Sequence, residues 1–271
     1  MISSTLGKDF LLVSGLKYIS KSTNKIIEIP PEKIVQVIVN SNLYLASLIP
    51  MFEEIGFDIY ETLGQRNLSG FVGEVFVKSF QKLIDGYACN PHGDGRPDIL
   101  DVTSKTSFSY FQNYCFSQNE DDKPSPIRSS LAPFKFGGLE VKSTIGNPVH
   151  NYKALLERDL NLTGFSVGLP RINYLKTITY WGHHTSCENL VGLYYDYAKE
   201  VNGAPQIFAV MHSELDSKTD WNTVSVGRVG SKKTSNTSLT PSGKGKLFNN
   251  VIAVTRKKAY LEKLKSIGLN L

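Results

Sequence analysis

The chain has 271 residues, of which 41% are hydrophobic and 20% charged, an ordinary globular composition that is long enough to bury a full core. An apolar run of the ~20 residues needed for a membrane span, a signal peptide and a CxxC pair are all absent from it, so we expect a cytoplasmic protein with reduced thiols and no membrane partner. Its net charge of +5 is uneven, because the segment from Arg228 to Leu271 holds ten Lys and Arg residues against one acid, which indicates a surface for a polyanion or a solvated basic face.

The N-terminal region, residues 1–66, is predicted to be mostly helical. Two short apolar segments, 10–13 and 25–29, are expected to form strands or a loose arm. A helix is then predicted to begin within Pro30-Pro31-Glu32-Lys33, because proline is tolerated in a first helical turn. Apolar residues recur at helical spacing from there to Pro50.

A second region, residues 67–215, begins with the clearest helical pattern of the chain, from Ser69 to Ile84. Ser69 is expected to cap this helix, since its hydroxyl can accept a hydrogen bond from a free backbone N–H. Glu74 lies among apolar residues near the start of the helix. It either pairs on the surface with Lys78, one turn on, or leans toward a functional site.

Two short strand patterns in this region carry groups that suit catalysis. In the first, Pro97 and Asp98 precede the apolar pair Ile99-Leu100. In the second, Glu140 and Lys142 alternate with Leu139 and Val141, so a strand would place the two charged side chains on one face. If the two strands are neighbours, two carboxylates and one ammonium group meet at one point. Carboxylate oxygens are the ligands that Mg²⁺ prefers, and an adjacent lysine can orient water or stabilise phosphate charge.

Pro97-Asp98 followed by Glu140-Val141-Lys142 resembles the signature of the PD-(D/E)xK nuclease superfamily, and the chain resembles its type II restriction endonucleases. The resemblance implies Mg²⁺ held by Asp98, Glu140 and the backbone carbonyl of Val141, and a Lys142 that positions the attacking water. It also implies that Glu74, on the helix before the first strand, contributes to a second metal position. For a restriction enzyme it further implies a homodimer on a palindromic site of double-stranded DNA.

The two motif strands are separated by residues 104–136, which show little periodicity and are predicted to be an insertion. Downstream, the continuous apolar runs 190–197 and 206–212 predict central strands that are covered on both faces. His183 and His184 precede Cys187, and we expect these histidines to pack at a strand end or to contact DNA, since no further metal ligands are near in sequence.

The third region, residues 216–271, is expected to contact DNA. Ser, Thr, Gly and Lys dominate 221–246, and backbone amides, hydroxyls and ammonium groups are the usual partners of phosphate, although a flexible polar loop has the same composition. Residues 249–267 are predicted to form a C-terminal helix. The candidate DNA-binding residues are Arg228, Lys232, Lys233, Asn236, Lys244 and Lys246.

The sequence thus predicts one continuous α/β domain with a restriction-endonuclease-like central mixed β-sheet flanked by helices, a helical N-terminal region and a basic C-terminal region. The expected activity is site-specific, Mg²⁺-dependent hydrolysis of double-stranded DNA. A structure-specific repair or recombination nuclease of the same superfamily, and a non-catalytic DNA-binding protein, stay open as alternatives.

Overall fold

The computed structural model describes residues 7–118, 123–160, 168–183, 188–224 and 236–271. Within these ranges the helices are α1 (Pro31–Glu53), α2 (Ile59–Leu83), α3 (Lys105–Tyr114), α4 (Arg128–Leu131), α5 (Tyr152–Leu160), α6 (Pro241–Asn249) and α7 (Lys258–Ser266). The strands are β1 (Phe10–Leu12), β2 (Leu16–Ile19), β3 (Ile26–Ile29), β4 (Tyr87–Cys89), β5 (Ile99–Asp101), β6 (Phe116–Gln118), β7 (Pro124–Pro126), β8 (Gly138–Thr144), β9 (Asn147–Pro148), β10 (Leu175–Thr177), β11 (Trp181–His183), β12 (Asn189–Ala198), β13 (Ala204–Glu214), β14 (Asn236–Ser238) and β15 (Val251–Thr255).

A seven-stranded mixed sheet organises the molecule, in the order β1-β15-β13-β12-β8-β5-β4. β8 and β12 run parallel, and every other neighbouring pair in this sheet is antiparallel. The predicted mixed α/β architecture with a large central sheet is therefore confirmed. β12 and β13 are almost wholly buried, as their continuous apolar sequences predict. All three sequence regions contribute strands to the one sheet.

Helices α1 and α2 cover one face of the sheet and share its largest core with residues such as Val191 and Leu193. The side chain of Asp58 caps α2 by accepting hydrogen bonds from the N–H groups of Tyr60 and Glu61. The expectation that Ser69 caps this helix is wrong, because α2 begins ten residues earlier and only kinks at Gly64, where the backbone is not helical.

Although Gln, Asn and Ser interrupt its apolar residues, helix α1 has a mean hydropathy of 1.5 over its best window and is long and apolar enough to cross a membrane by length and composition alone. The core helix of a soluble protein meets the same two criteria. Ile34, Val37 and Ile38 of α1 are fully buried in the core cluster beneath the sheet. Their burial against the sheet accounts for the apolar sequence of α1.

Helices α6 and α7 pack on the opposite face, in a second core that includes Leu247, Val254 and Leu264. The predicted helix over 249–267 is wrong. Its first part is β15, which pairs with both β1 and β13, and only α7 is helical. Five consecutive β-branched or small residues form a strand wherever both neighbouring edges are free to pair, and this tertiary pairing overrides the helical spacing.

The described parts of the insertion at 104–136, which are 104–118 and 123–136, contain more regular structure than the sequence pattern suggests. It folds into α3, the hairpin β6–β7 and α4 around a small core of its own, which includes Cys115, Leu131 and Phe134. A capping box begins α3, because the Ser104 hydroxyl accepts from the Ser107 N–H while the Ser107 hydroxyl accepts from the Ser104 N–H.

Candidate active site

The pairing of β5 with β8 sets the geometry of the site. Ile99 lies opposite Leu139, and continuing this antiparallel register by one position places Asp98 opposite Glu140. Asn90 N–H donates to the Asp98 carbonyl, so the backbone of Asp98 points away from β8 and this pair is not joined by ladder hydrogen bonds. Side chains in such pairs lie closest together, with Cα atoms about 4.5 Å apart. The register alone therefore brings the two predicted carboxylates together.

Pro97 ends the ladder at the next position and opens the backbone of β8. It would face Val141 but has no N–H to donate to the Val141 carbonyl. The N–H of Val141 donates instead to Asp98 Oδ2, at 2.7 Å. Because the N–H and C=O of one strand residue point to the same side, the Val141 carbonyl also faces the Asp98 side of β8. The predicted backbone ligand is thus available where the carboxylates converge.

Lys142 completes the cluster. Its Nζ lies 2.7 Å from Glu140 Oε1 and 3.7 Å from Asp98 Oδ2, and its side chain is 27% exposed. The alternation predicted for β8 is confirmed in this respect, since the side chains of Glu140 and Lys142 meet. The ammonium group therefore stands between the two carboxylates at the edge of a solvent-accessible cavity.

Glu140 is the most perturbed group of the cluster. It is only 3% exposed, and its Oε2 is buried without a hydrogen-bond partner. Burial and the nearby Asp98 carboxylate raise the pKa of Glu140 to about 7, while Lys142 and Arg96 oppose the rise. A cation or a hydrogen-bond donor that approaches the unpartnered oxygen would therefore stabilise the charged form of Glu140.

Glu74 approaches the same point from α2. It lines a cavity of about 240 Å³ with Asp98, Val141 and Lys142. Burial, and then the Asp98 charge, raise the pKa of Glu74, while the charges of Lys78 and Lys142 lower it. Of the two sequence interpretations, the structure thus places Glu74 beside the cluster, with Lys78 still close enough to act on it.

The contact between α2 and β8 fixes this cavity. The Ser143 hydroxyl donates to the backbone carbonyl of Ser69, and Gly73 faces Ser143 without a side chain in between. On the other edge of β8, a side chain at Gly138 would collide with the carbonyl oxygen of Ile99. Glycine and serine at these positions let both neighbours approach β8 closely.

The candidate DNA-binding residues are placed differently. Arg228, Lys232 and Lys233 lie outside the described residues, and Asn236 begins β14, where it pairs with His183. His184 and Cys187 also lie outside the described residues.

Lys244 and Lys246 lie on α6 and already have partners within the chain. Lys244 Nζ lies 2.6 Å from the Thr177 hydroxyl, and burial lowers its pKa. Lys246 Nζ lies 2.6 Å from Oδ2 of the fully buried Asp220. Both lysines are thus engaged by groups of the chain itself, and their contact with DNA stays a prediction.

One basic residue near the site was missed by sequence reasoning. Lys135 lines a second cavity, of about 180 Å³, that adjoins the site at Glu140. Its flanking residues, Phe134 and Phe136, are the only sequence signal, since a cation between two aromatics can be held by their rings.

The donor set fits Mg²⁺ better than it fits a transition metal. Within the described ranges, no group of three or more His, Cys, Asp and Glu side chains is arranged to hold a metal ion. Mg²⁺ is usually held by only one or two carboxylates together with water and substrate phosphate. Two convergent carboxylates, the Val141 carbonyl on the same side of β8 and the unpartnered Glu140 Oε2 supply such a set.

No family model, no curated protein and no solved structure matches this chain. The resemblance to PD-(D/E)xK nucleases therefore rests on the motif residues themselves. The structure adds one observation, that Asp98, Glu140 and Lys142 lie together where β5 pairs with β8.

Proposed function

We propose that this protein is an Mg²⁺-dependent endonuclease that hydrolyses phosphodiester bonds of double-stranded DNA. The observation that carries the proposal is the convergence of Asp98, Glu140 and Lys142 through the register of β5 and β8, around a buried carboxylate oxygen without a partner. Uncatalysed phosphate ester hydrolysis is among the slowest of reactions, so a catalyst needs both charge stabilisation and an activated water.

Asp98, Glu140 and the carbonyl of Val141 would hold the metal ion. When bound, Mg²⁺ supplies Lewis-acid stabilisation of the phosphate charge and lowers the pKa of a coordinated water. The protein contributes rigidity, because Glu140 and Val141 belong to a strand that is paired with β12 over five residues. Fixed ligands of this kind cost no reorganisation during the reaction.

Lys142 orients the attacking water and stabilises negative charge that develops on the phosphate. Its ammonium group has three donors and is already aligned by Glu140 and Asp98. Glu74, across the cavity, adds a third carboxylate that can orient water or support a second ion. The pKa of Glu140 is raised to about 7 first by burial and then by the Asp98 charge, so an approaching cation would favour its charged form.

Three features favour DNA over a small phosphate ester. The site lines a solvent-accessible cavity between α2 and β8, the C-terminal segment carries a large excess of positive charge, and no glycine-rich nucleotide motif occurs in the sequence. We extend the proposal to a type II restriction enzyme that acts as a homodimer on a palindromic site, since two-fold protein symmetry matches two-fold DNA symmetry.

Phage DNA incubated with the protein and Mg²⁺, followed by sequencing of the new ends, tests this function. A sequence-specific enzyme yields a defined set of fragments that share one sequence at their ends. Fragments with unrelated end sequences would favour the structure-specific nuclease instead. Binding without cleavage in either Mg²⁺ or Mn²⁺ would contradict a catalytic role.

A further inference from the structure

The second cavity is bounded by the segment that carries the Pro97-Asp98 motif, by the end of the insertion and by the start of β12. Its charged lining residues are Lys21, Arg96, Lys135, Glu140 and Glu188. The exposed pair Lys21–Glu188 is self-neutralising, with Nζ 2.5 Å from the carboxylate. Glu140 is engaged by Lys142. The other cations of the lining are Arg96 and Lys135.

Lys135 is held in place by aromatic rings. Its Nζ lies 3.8 Å from the ring centre of Tyr110 and 4.8 Å from that of Phe136. Tyr110 is itself fixed, stacked on Tyr114 and packed edge-on against Phe136. No carboxylate of the described residues lies within ion-pair distance of Lys135. The side chain is exposed, so its ammonium keeps donors for a ligand from solution.

The position of this lysine is set by the insertion at 104–136. Helix α3 supplies Tyr110, and the return of the chain to β8 supplies Lys135. The insertion thus presents a cation at the rim of a cavity whose inner wall includes Glu140. A lysine ammonium is a compact point charge that suits phosphate. Because the rings already hold the Lys135 side chain in place, less conformational entropy is lost when a ligand binds.

We infer that Lys135, fixed on the aromatic cluster of the insertion, binds a backbone phosphate of the nucleic acid next to the phosphate that is cut. This inference rests on the proposed function for the identity of the ligand and assigns the insertion its role as a backbone clamp. Lys135 is a positioning residue, because it lines the second cavity with Glu140, whereas Asp98 and Lys142 line the first. Sequence-independent contacts of this type set register on the duplex.

The test is the salt dependence of DNA binding by the full chain in EDTA, where no cleavage occurs. Fluorescence anisotropy with a labelled duplex gives log K against log salt for the wild type and for Lys135→Ala, Lys135→Arg and Lys33→Ala. Lys33 is the matched control, because it is an exposed lysine outside the basic C-terminal segment, at the start of α1, a helix that packs mainly on β13, two strands away from β8. Thermal unfolding of each variant checks that the fold is unchanged.

Lys135→Ala is expected to bind about tenfold more weakly at low salt, with a slope that is shallower by about 0.9. Lys135→Arg restores most of the affinity and slope, and Lys33→Ala matches the wild type. Equal slopes for Lys135→Ala and the wild type, an equal loss in Lys33→Ala, or no binding by the wild type would overturn the inference.

The same measurements separate this inference from the proposed function. If Lys135→Ala weakens binding but the wild type does not cut DNA in Mg²⁺, the clamp stands and the catalytic proposal fails. If the wild type cuts DNA and Lys135→Ala binds with an unaltered slope, the clamp fails and the catalytic proposal stands.

Discussion

Two buried carboxylates of this protein, Glu140 and Asp196, have opposite surroundings. Both are almost inaccessible, and burial raises the pKa of each, to about 7 for Glu140 and about 6 for Asp196. Asp196 accepts hydrogen bonds from the backbone N–H groups of Arg171 and Ile172 and from the Tyr260 hydroxyl. Glu140 leaves one oxygen without a partner. A satisfied buried acid holds a fold together, whereas an unsatisfied one beside a cavity is available for chemistry.

The largest effect is expected from the unsatisfied acid. Glu140→Gln should lower the cleavage rate by about a thousandfold or more, because the amide is a poor metal ligand and does not hold Lys142 as an ion pair. The free energy of unfolding should change by no more than about 1 kcal/mol, since removing a buried charge next to Asp98 offsets the lost contact. Steady-state cleavage and urea unfolding of the same preparations measure both quantities.

Asp98→Ala and Lys142→Ala should also abolish cleavage, with folding and much of the DNA binding retained. Full activity in Asp98→Ala, Lys142→Ala or Glu140→Gln would remove that residue from the site. Unfolding of all three would show that the cluster is a structural ion pair.

The satisfied acid should behave in the opposite way. Asp196→Asn places an NH₂ group against backbone donors and should lower the free energy of unfolding by about 4 kcal/mol. The rate of cleavage per folded molecule should stay within about twofold of the wild type. Urea unfolding of Asp196→Asn and Glu140→Gln compares the two losses of stability. If Asp196→Asn is as stable as the wild type, the two buried acids do not differ in their structural roles.

The strand patterns that carry the candidate site residues were predictable because their signals are local, whereas the wrong helix over 249–267 came from long-range pairing. Alternation around Glu140 and Lys142 and the turn before Asp98 specify strand ends within a few residues. The strand over Val251–Thr255 depends on neighbours that are distant in the chain, so a short apolar run was mistaken for part of a helix. The contact between Lys246 and Asp220 has no local signal either.

His212, like Glu140, has a buried side-chain atom without a hydrogen-bond partner. It tests whether such an atom indicates a functional site when no charged group lies beside it. It lies in β13 with its Nε2 buried and unpartnered, and burial lowers its pKa to about 4 from the ordinary 6.5. Because the folded pKa is depressed, this contribution to stability is complete above pH 6.5 and is lost as the pH falls toward 4, by about 3 kcal/mol. His212→Phe should remove this part of the decrease in the free energy of unfolding at acid pH and leave cleavage at neutral pH unchanged.

Urea unfolding of both proteins at several pH values between 4 and 7.5 measures that difference. Parallel stability curves for the wild type and His212→Phe would show that the histidine is not held neutral by burial. A loss of cleavage in His212→Phe would extend the functional site into β13.

The smallest effect is expected at Lys246, which the sequence marks as a DNA contact and the structure pairs with buried Asp220. Lys246→Met should lower the free energy of unfolding by about 1 kcal/mol, because the Asp220 carboxylate keeps its hydrogen bonds from the Asp216 N–H and the Ser242 hydroxyl. DNA binding should keep its salt slope. A shallower slope with unchanged stability would return this lysine to the DNA-binding surface.

Plasmid cleavage in Mg²⁺ by the wild type, Glu140→Gln and Asp196→Asn, at a temperature where all three are folded, decides whether the unsatisfied buried acid is catalytic. We expect cutting by the wild type and Asp196→Asn, and none above background by Glu140→Gln or by the wild type in EDTA. Wild-type rates in Glu140→Gln, or cutting that survives EDTA, would contradict this expectation.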